Sequence, residues 1–587
     1  MGTQIHGSRT AQEFHSWTPT IPATTRDSYS RCTAGDAKSG IRRRQSRRFP
    51  NVSTSEPQTS SLASPAMTKQ HRPAQNAVHS TPSRQPAMPL PVTLSSDVAG
   101  RPVSRRVMLR GLGALALLGT AAGAGLPLAT SARAAAATGT LTIPTLLEST
   151  TDSTGTLVYT LAMQAGTTEI LSGVSSETAG FNQAFLGPAI KVTKGDTVQM
   201  DITNNLSAVS TVHWHGAHIP PSVDGGPQNT IEAGATFSPS FEINQDACTL
   251  WFHPHALTTT AEQIASGLVG MLIVDDDSAG AAALPNDYGT DQFPLIIQSL
   301  PISSAGAILS TTAGLLARTT SFPLLVNGSN VGVDGTPTLT VDASRVRFHI
   351  LNASITDIIT ISVSDGSSFT QVASDAALLS APLSVTSLQL VGGERAEICI
   401  DVTSAAAVTL QATVTAGGAR GGSGTSQIVT ITSTATSAAA SLPDSLATFT
   451  ALDVSSPAAT RTIALSNSGN TMYINGVAGI SMTAMEASDI MTTLGATEVW
   501  TITNATGLTH SFHLHDVPFQ VQTIDGDKPT GAYAEWKDTI LIGPNSTNVI
   551  AMQFTDYADN DYYYMLHCHN AIHEDEGMMA MLMVMSS

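Results

Sequence analysis

Three segments of the chain alternate apolar and polar positions and close on asparagine: Thr197–Asn204 (TVQMDITN), Arg345–Asn352 (RVRFHILN) and Thr497–Asn504 (TEVWTITN). Side chains on an extended chain point to opposite faces in turn, so period-two alternation ending at a turn residue predicts a half-buried β-strand. The three asparagines lie about 150 residues apart, an ordinary domain length. Runs of Val, Ile and Thr broken by Gly, Ser, Asn and Asp fill the remainder, and helix-period segments are few and short. The pattern predicts three copies of one all-β sandwich domain.

A second internal match links the first and third copies. Trp251–His255 (WFHPH) is followed by Gly267–Val274 (GLVGMLIV), and Met565–His569 (MLHCH) by Gly577–Val584 (GMMAMLMV). Each is a His-x-His, a loop and an apolar strand opening with glycine. The middle copy has no such histidines, so the first and third copies carry the chemistry and the second spaces them.

The front of the chain is different in kind. Residues 1–87 are rich in Ser, Thr, Arg, Pro and Gln without apolar periodicity. That composition predicts a disordered extension, or a start upstream of the true one at Met88. Residues 88–134 hold Ser104–Arg110 with paired arginines, the apolar run Gly111–Leu128 and the small-residue site Ala132–Ala134, the layout of a signal peptide. The arginine pair resembles a twin-arginine export signal, which predicts a periplasmic or extracellular protein beginning near Ala135. No other membrane-spanning segment is predicted.

Of 27 Lys and Arg, 17 lie in residues 1–134, against 5 of 45 Asp and Glu. The body is therefore acidic, which excludes nucleic acid as a partner, since phosphates are bound by cationic side chains. Four cysteines (Cys32, Cys248, Cys399, Cys568) are too few for a disulfide framework. Cys568 reads as a metal ligand. Cys248 and Cys399 are either a pair or buried thiols.

The candidate chemistry lies in the histidines. Beyond residue 134 there are twelve, and ten fall in four clusters: His213 and His215; His253 and His255; His510, His513 and His515; His567, His569 and His573. A lone histidine is commonly a satisfied core or surface residue, and only His218 and His349 are lone. On a strand, residues i and i+2 share a face, so each His-x-His presents two imidazoles side by side. Imidazole alone suits Cu, Zn, Fe or Ni. The last cluster narrows the choice, because Cys568, His573 and Met578, with His510, make the His₂Cys and weak axial Met set of a blue-copper electron-transfer centre. The residues flanking Cys568, His567 and His569, belong to the imidazole clusters. A single copper would thus be wired through two peptide links to a site holding three more.

Five stretches carry a resemblance: His213–Gly216 (HWHG), Val223–Gln228 (VDGGPQ), Trp251–His255, His510–His515 (HSFHLH) and His567–Met578 (HCHNAIHEDEGM). Together they resemble the multicopper oxidases, closest to bacterial copper-efflux oxidases, laccases and bilirubin oxidases. The resemblance implies three consecutive cupredoxin-like Greek-key β-sandwiches, here 135–285, 286–440 (without copper) and 441–587. It implies four copper ions. His510, Cys568, His573 and Met578 would hold the type 1 ion, and His213 and His513 the type 2 ion. His215, His253 and His569 would hold one type 3 ion, and His255, His515 and His567 the other. Glu574 and Asp224 match acidic residues that relay protons to O₂. Asp516 reads as a turn residue, or as a partner to the ligands.

The remaining methionines of the tail, Met579, Met581, Met583 and Met585, alternate along a strand and read as core. Copper-efflux oxidases carry a Met-rich insert ahead of the His510 cluster, and none is present here. The expected activity is therefore laccase-like, with one-electron oxidation of phenols or other small reductants coupled to reduction of O₂ to water, by a monomer. The alternatives are a metal-ion oxidase for Cu(I), Mn(II) or Fe(II), a bilirubin oxidase, and a copper-free cell-division factor of the same fold, which would lack the ligand residues.

Overall fold

A computed structural model of the chain describes residues 139–418, 420–486 and 490–586. The predicted extension over 1–87, the export signal over 88–134 and Cys32 lie outside the described residues.

Each of the three alternating segments is a strand with the expected bounds. In Thr197–Asn204, Val198, Met200 and Ile202 turn inward, and Trp500 and Ile502 do so in Thr497–Asn504. Arg345–Asn352 departs from the half-buried expectation, since its polar positions Arg347 and His349 are buried too. That face packs within the protein, where Glu397 pairs with Arg347 and Thr249 of the first copy bonds His349.

The closing asparagine performs the same task three times. The Asn204 amide donates to the carbonyls of Ala208 and Ile231, and its oxygen accepts from the Leu206 N–H. Asn352 donates to Asp357 and Leu390 and accepts from Ser354. Asn504 donates to Leu508 and Gly543 and accepts from Thr506. One side chain thus satisfies three backbone groups at a buried corner, where unpaired groups are costly.

The topology repeats as well. An earlier strand, not the one immediately before, pairs in parallel with each alternating strand: Leu157–Leu171 with Thr197–Asn204, Gln292–Ser299 with Arg345–Asn352, and Ala459–Ser468 with Thr497–Asn504. The facing sheets contain a second parallel pair each: Ala189–Thr193 with Gly270–Asp275, Thr338–Val341 with Gly424–Ser433, and Ile490–Thr493 with Met579–Met585. Parallel neighbours require the chain to cross between sheets, the signature of a Greek key as opposed to a simple meander. Each pair of sheets closes on its own apolar core, around Met200 and Trp214, around Phe348 and Ile398, and around Trp500 and Phe512. The fold is all-β: three cupredoxin-like sandwiches in succession.

Two details position the site. In Met579–Met585, Ala580, Leu582 and Val584 face the sandwich core, while Met579 and Met581 pack on Met485 and Met565 on the other side. Met579, Met581 and Met583 are buried, as their alternation predicts, while Met585 is half-buried. Helix Ala571–Asp575 then touches helix Thr260–Ser266 of the first sandwich, whose cap residue Thr259 makes no side-chain capping bond. Instead the Asp575 carboxylate accepts from the N–H groups of Thr260 and Ala261, at 3.0 and 2.9 Å. A carboxylate is favoured at a helix N-terminus, and here it fastens the first sandwich to the third. Cys248 and Cys399 are buried free thiols. No helix among the described residues is long and apolar enough to cross a membrane.

Candidate metal centre

Strand alternation sorts the third sandwich's residues into two sites. In His510–Leu514, His510 and Phe512 face one way and Ser511 and His513 the other. In Tyr564–Cys568, which pairs with it, Cys568 lies opposite Phe512 and His567 opposite His513. Cys568 and Phe512 belong to the sandwich core. His510 approaches the Cys568 Sγ with its Nδ1 at 3.5 Å, and His573 with its Nδ1 at 3.8 Å. Met578 is fully buried, and its carbonyl accepts from the Cys568 N–H. The backbone therefore gathers His510 and His573 around the Cys568 sulfur, with Met578 in the same core.

The opposite face carries His513, His515, His567 and His569 toward the first sandwich, which supplies His213, His215, His253 and His255. The pairs stand side by side as expected, with ring centroids 5.1 to 6.1 Å apart. Strand geometry is only part of the reason. Of the four His-x-His pairs, only His213 and His215 share a strand; His255, His515 and His569 lie just past strand ends. The rings interleave across the boundary, with His213 stacked on His515 at 3.8 Å and His215 on His513 at 3.7 Å. The Nε2 atoms of His255 and His515 lie 3.1 and 3.2 Å from that of His567. The rings of His215, His253 and His569 are 4.9 to 5.8 Å apart. His213 and His513 are 6.0 Å apart. The eight rings are thus brought together, but their ligand atoms group differently in part: His255, His515 and His567 group as expected, whereas His215 and His253 group with His213, and His513 groups with His213 and His515.

Whether these residues fit metal ions is answered by their nitrogens. One nitrogen of each of several rings is engaged by a fixed group. His213 Nδ1 donates to the Asp224 carbonyl, His253 Nδ1 to that of Pro254 and His513 Nδ1 to that of Asp538, each at 2.9 Å. His515 Nδ1 meets Asp224 Oδ2 at 2.7 Å. The opposite nitrogens of His213, His253 and His513 are buried without a partner, as are one nitrogen each of His215, His255 and His569. Unpaired buried polar atoms are expensive; His255 Nδ1 faces Glu574, and the other five match imidazoles oriented from behind for metal in front. Burial holds seven of these rings neutral, the form that ligates: His215, His253, His513 and His515 are pulled well down, and His255, His567 and His569 to about 3. At the other site burial pushes the Cys568 thiol up to about 12, so its thiolate requires a bound cation.

Asp224 sits on a loop only glycine permits. Gly225 has φ +84, and a Cβ there would fall 1.7 Å from the Val212 carbonyl oxygen. The loop therefore presses on His213, and Asp224 is fully buried with Oδ1 unpartnered. Glu574 is buried between His255 Nδ1 at 3.3 Å and His567 Nδ1 at 3.1 Å, neither aligned as a hydrogen bond. Asp516 is both a turn residue, at φ +76, and a buried acceptor 2.9 Å from His218 Nδ1. It meets this lone histidine and none of the clustered ones. His349 is a satisfied core residue, bonded to Thr249 and Gln292.

Sequence reasoning missed the second sandwich's share. Its Arg395 donates to both oxygens of Asp538, to the Thr249 carbonyl of the first sandwich and to the Gly393 carbonyl of its own. Asp538 Oδ1 lies 3.3 Å from His215 Nε2. Gly393, at φ +86, lies flat on His569, where a Cβ would meet the ring at 2.8 Å. The second sandwich has no imidazole cluster, yet it does more than space its neighbours. Neither Asp538 nor Arg395 stands in a histidine motif, so no local signal marked them.

A thiolate with two imidazoles in one β-sandwich, beside eight imidazoles shared with another, defines a copper-dependent oxidase. Models of the multicopper oxidase family match residues 162–279 and 453–587. The chain is 32% identical to "multicopper oxidase mco" of Staphylococcus haemolyticus, over 75% of this chain and 91% of that one. It is 30% identical to "cell division protein FtsP" of Sodalis glossinidius, over 81% and 97%. Among solved structures, a multicopper oxidase from Pediococcus acidilactici superposes with TM-score 0.67 at 27% identity, over 76% and 91% of the two chains. A laccase-like multicopper oxidase from Ochrobactrum sp., described as active towards lignin model compounds, has TM-score 0.67 at 30% identity, over 76% and 100%. The chain belongs to the multicopper oxidase family. It is accordingly a copper oxidoreductase with O₂ as acceptor.

Proposed function

We propose that the protein is a laccase-like oxidase of phenols or similar small organic donors, built from sandwiches spanning 135–285, 286–440 and 441–587 and acting as an exported monomer. Four copper ions are proposed: one held by His510, Cys568, His573 and Met578, and three by His213, His215, His253, His255, His513, His515, His567 and His569. Bound there, copper would supply one-electron redox chemistry at the thiolate site and O₂ reduction at the cluster. The residues around it do the rest. The peptide links from Cys568 to His567 and His569 join the two sites covalently. Asp224 and Glu574, buried against cluster imidazoles, are placed to deliver protons there. Arg395 and Asp538 hold the rings in register.

The observation that carries the donor class is a cavity lined by His573. Its walls are largely apolar, with Leu315, Leu508, Met472 and Ile572, and Glu576 is the one acid among its lining residues. Hard cations take six or more oxygen ligands, so this lining suits an organic ring better than an ion such as Mn(II). The laccase-like relative from Ochrobactrum supports the same reading. Steady-state oxidation of 2,6-dimethoxyphenol, Cu(I), Mn(II), Fe(II) and bilirubin by copper-loaded protein tests it. The phenol should turn over fastest; turnover of a metal ion or bilirubin alone would overturn the reading.

The relatives named for cell division favour a second reading, a structural factor of the same fold. Six unpartnered buried imidazole nitrogens argue against it, because a purely structural protein gains nothing from leaving them unpaired.

A further inference from the structure

The cavity by His573 contains two polar groups with nothing to bind. It encloses about 120 Å³ between helix Thr312–Leu316 and Gly418 on one side and Met472, Leu508 and Glu576 on the other. That is close to the roughly 150 Å³ of an apolar cavity known to take benzene. Asn570 is only 5% exposed. Its Oδ1 is committed as helix cap, accepting from the His573 N–H at 3.4 Å, which directs Nδ2 away from the helix. That Nδ2 is buried and unpartnered. Glu576 is similarly divided: Oε1 accepts from the Thr312 hydroxyl at 2.7 Å, while Oε2 is buried and unpartnered. At Gly418 a Cβ would lie 3.5 Å from Asn570 Nδ2 and 4.0 Å from His573 Nε2. The missing side chain leaves both atoms facing open space.

A buried donor and a buried acceptor left unpaired are costly, and a ligand offering one of each relieves both. A hydroxyl is such a group, with one donor hydrogen and two acceptor lone pairs. A metal ion is not, because the amide N–H would repel it.

We propose that Asn570 and Glu576 select an aromatic hydroxyl donor. Asn570 Nδ2 donates to the hydroxyl oxygen, Glu576 Oε2 accepts its hydrogen, and the ring lies among Leu315, Leu508 and Met472 at the edge of His573. The assignment rests on the phenol-oxidase reading above and names the residues that would enforce it.

Two isosteric swaps test it on copper-loaded protein. In Asn570→Asp the retained oxygen still caps the helix, since Asp and Asn cap equally well, and an acceptor replaces the donor. In Glu576→Gln the oxygen stays with Thr312 and a donor replaces the acceptor. The first readout is calorimetric binding of 4-cyanophenol, a phenol too electron-poor to be a good donor, at a pH where it is neutral, against benzonitrile, which lacks the hydroxyl. Wild type should prefer the phenol about tenfold, the worth of one good hydrogen bond, and each variant should lose that preference while binding benzonitrile as before. The second is the ratio of kcat/KM for 2,6-dimethoxyphenol to that for hexacyanoferrate(II), which needs no hydroxyl contact. It should fall about tenfold in each variant, through KM. Unchanged preference and ratio in both variants would overturn the assignment. If wild type oxidises hexacyanoferrate(II) but no phenol and still prefers 4-cyanophenol, the phenol-oxidase reading fails and the pocket assignment stands. If it oxidises the phenol without any binding preference, the pocket assignment alone fails.

Discussion

Arg395 of the second sandwich closes a two-point ion pair on Asp538 of the third, Nη1 to Oδ1 at 2.7 Å and Nη2 to Oδ2 at 2.6 Å, with both side chains buried. The same guanidinium reaches the Thr249 carbonyl of the first sandwich at 2.9 Å. One side chain thereby ties all three sandwiches together behind His215 and His513. Removing one partner of a buried pair strands the other charge and costs about 3–5 kcal/mol. Arg395→Met should therefore lower stability to urea by that amount and lower copper content. Arg395→Lys should recover only part, because an ammonium cannot match both oxygens. Denaturation curves with metal analysis of the three proteins check this.

Cys568→Ser should abolish the intense visible absorption expected of a copper–thiolate site and stop donor oxidation, while far-ultraviolet circular dichroism is unchanged. The sulfur lies within a packed core, and the hydroxyl is smaller than the thiol it replaces. A variant that keeps the colour would refute the ligand assignment.

Asp224→Asn keeps the size of the side chain and the carbonyl contact to His213, but replaces the carboxylate beside His515. Loss of a positioned proton donor costs about 10²–10⁴ in rate. O₂ reduction should slow by at least the lower figure while copper reduction by the donor under nitrogen keeps its rate. Stopped-flow bleaching and reoxidation separate the two half-reactions.

Copper removal should destabilise the protein. A ligand that binds only the folded state adds about 2.7 kcal/mol at a hundredfold excess over Kd, and the unpaired imidazoles regain that loss only by binding metal. Scanning calorimetry should show Tm rising on copper addition. In the double variant His253→Ala/His569→Ala the rise should shrink.

Glu397 controls an acid-sensitive part of the stability. Burial alone would raise its carboxyl, but Arg347, His349 and the Thr249 hydroxyl outweigh that and hold it far below its ordinary 4.5. A depressed folded value means the contribution is complete above the unfolded range and is lost as pH falls through the folded value. Wild type should exceed Glu397→Gln by about 3–5 kcal/mol at pH 7. The gap should narrow steadily below about pH 4, as urea titrations across pH would record.

Much of this molecule was legible in one dimension. The alternating strands, their closing asparagines and the methionine tail depend on a period of two and on which residues end strands, and these are local. The histidine clusters were equally plain, since pairs at i and i+2 present neighbouring rings. Even the division of His510 from His513, and of Cys568 from His567, follows from alternation within single strands.

Fold class, the repeat and the identity of the imidazoles and thiolate can be read along the chain, because each depends on spacing within a few residues. Which nitrogens are held from behind and which are left free depends on the folded arrangement. That arrangement also decides that Arg395, Asp538 and Gly393 join the site, and that Asn570 and Glu576 face one cavity. Those relations link residues up to several hundred positions apart, such as His215 and Asp538. They arise from packing between sandwiches, and no period along the chain encodes them.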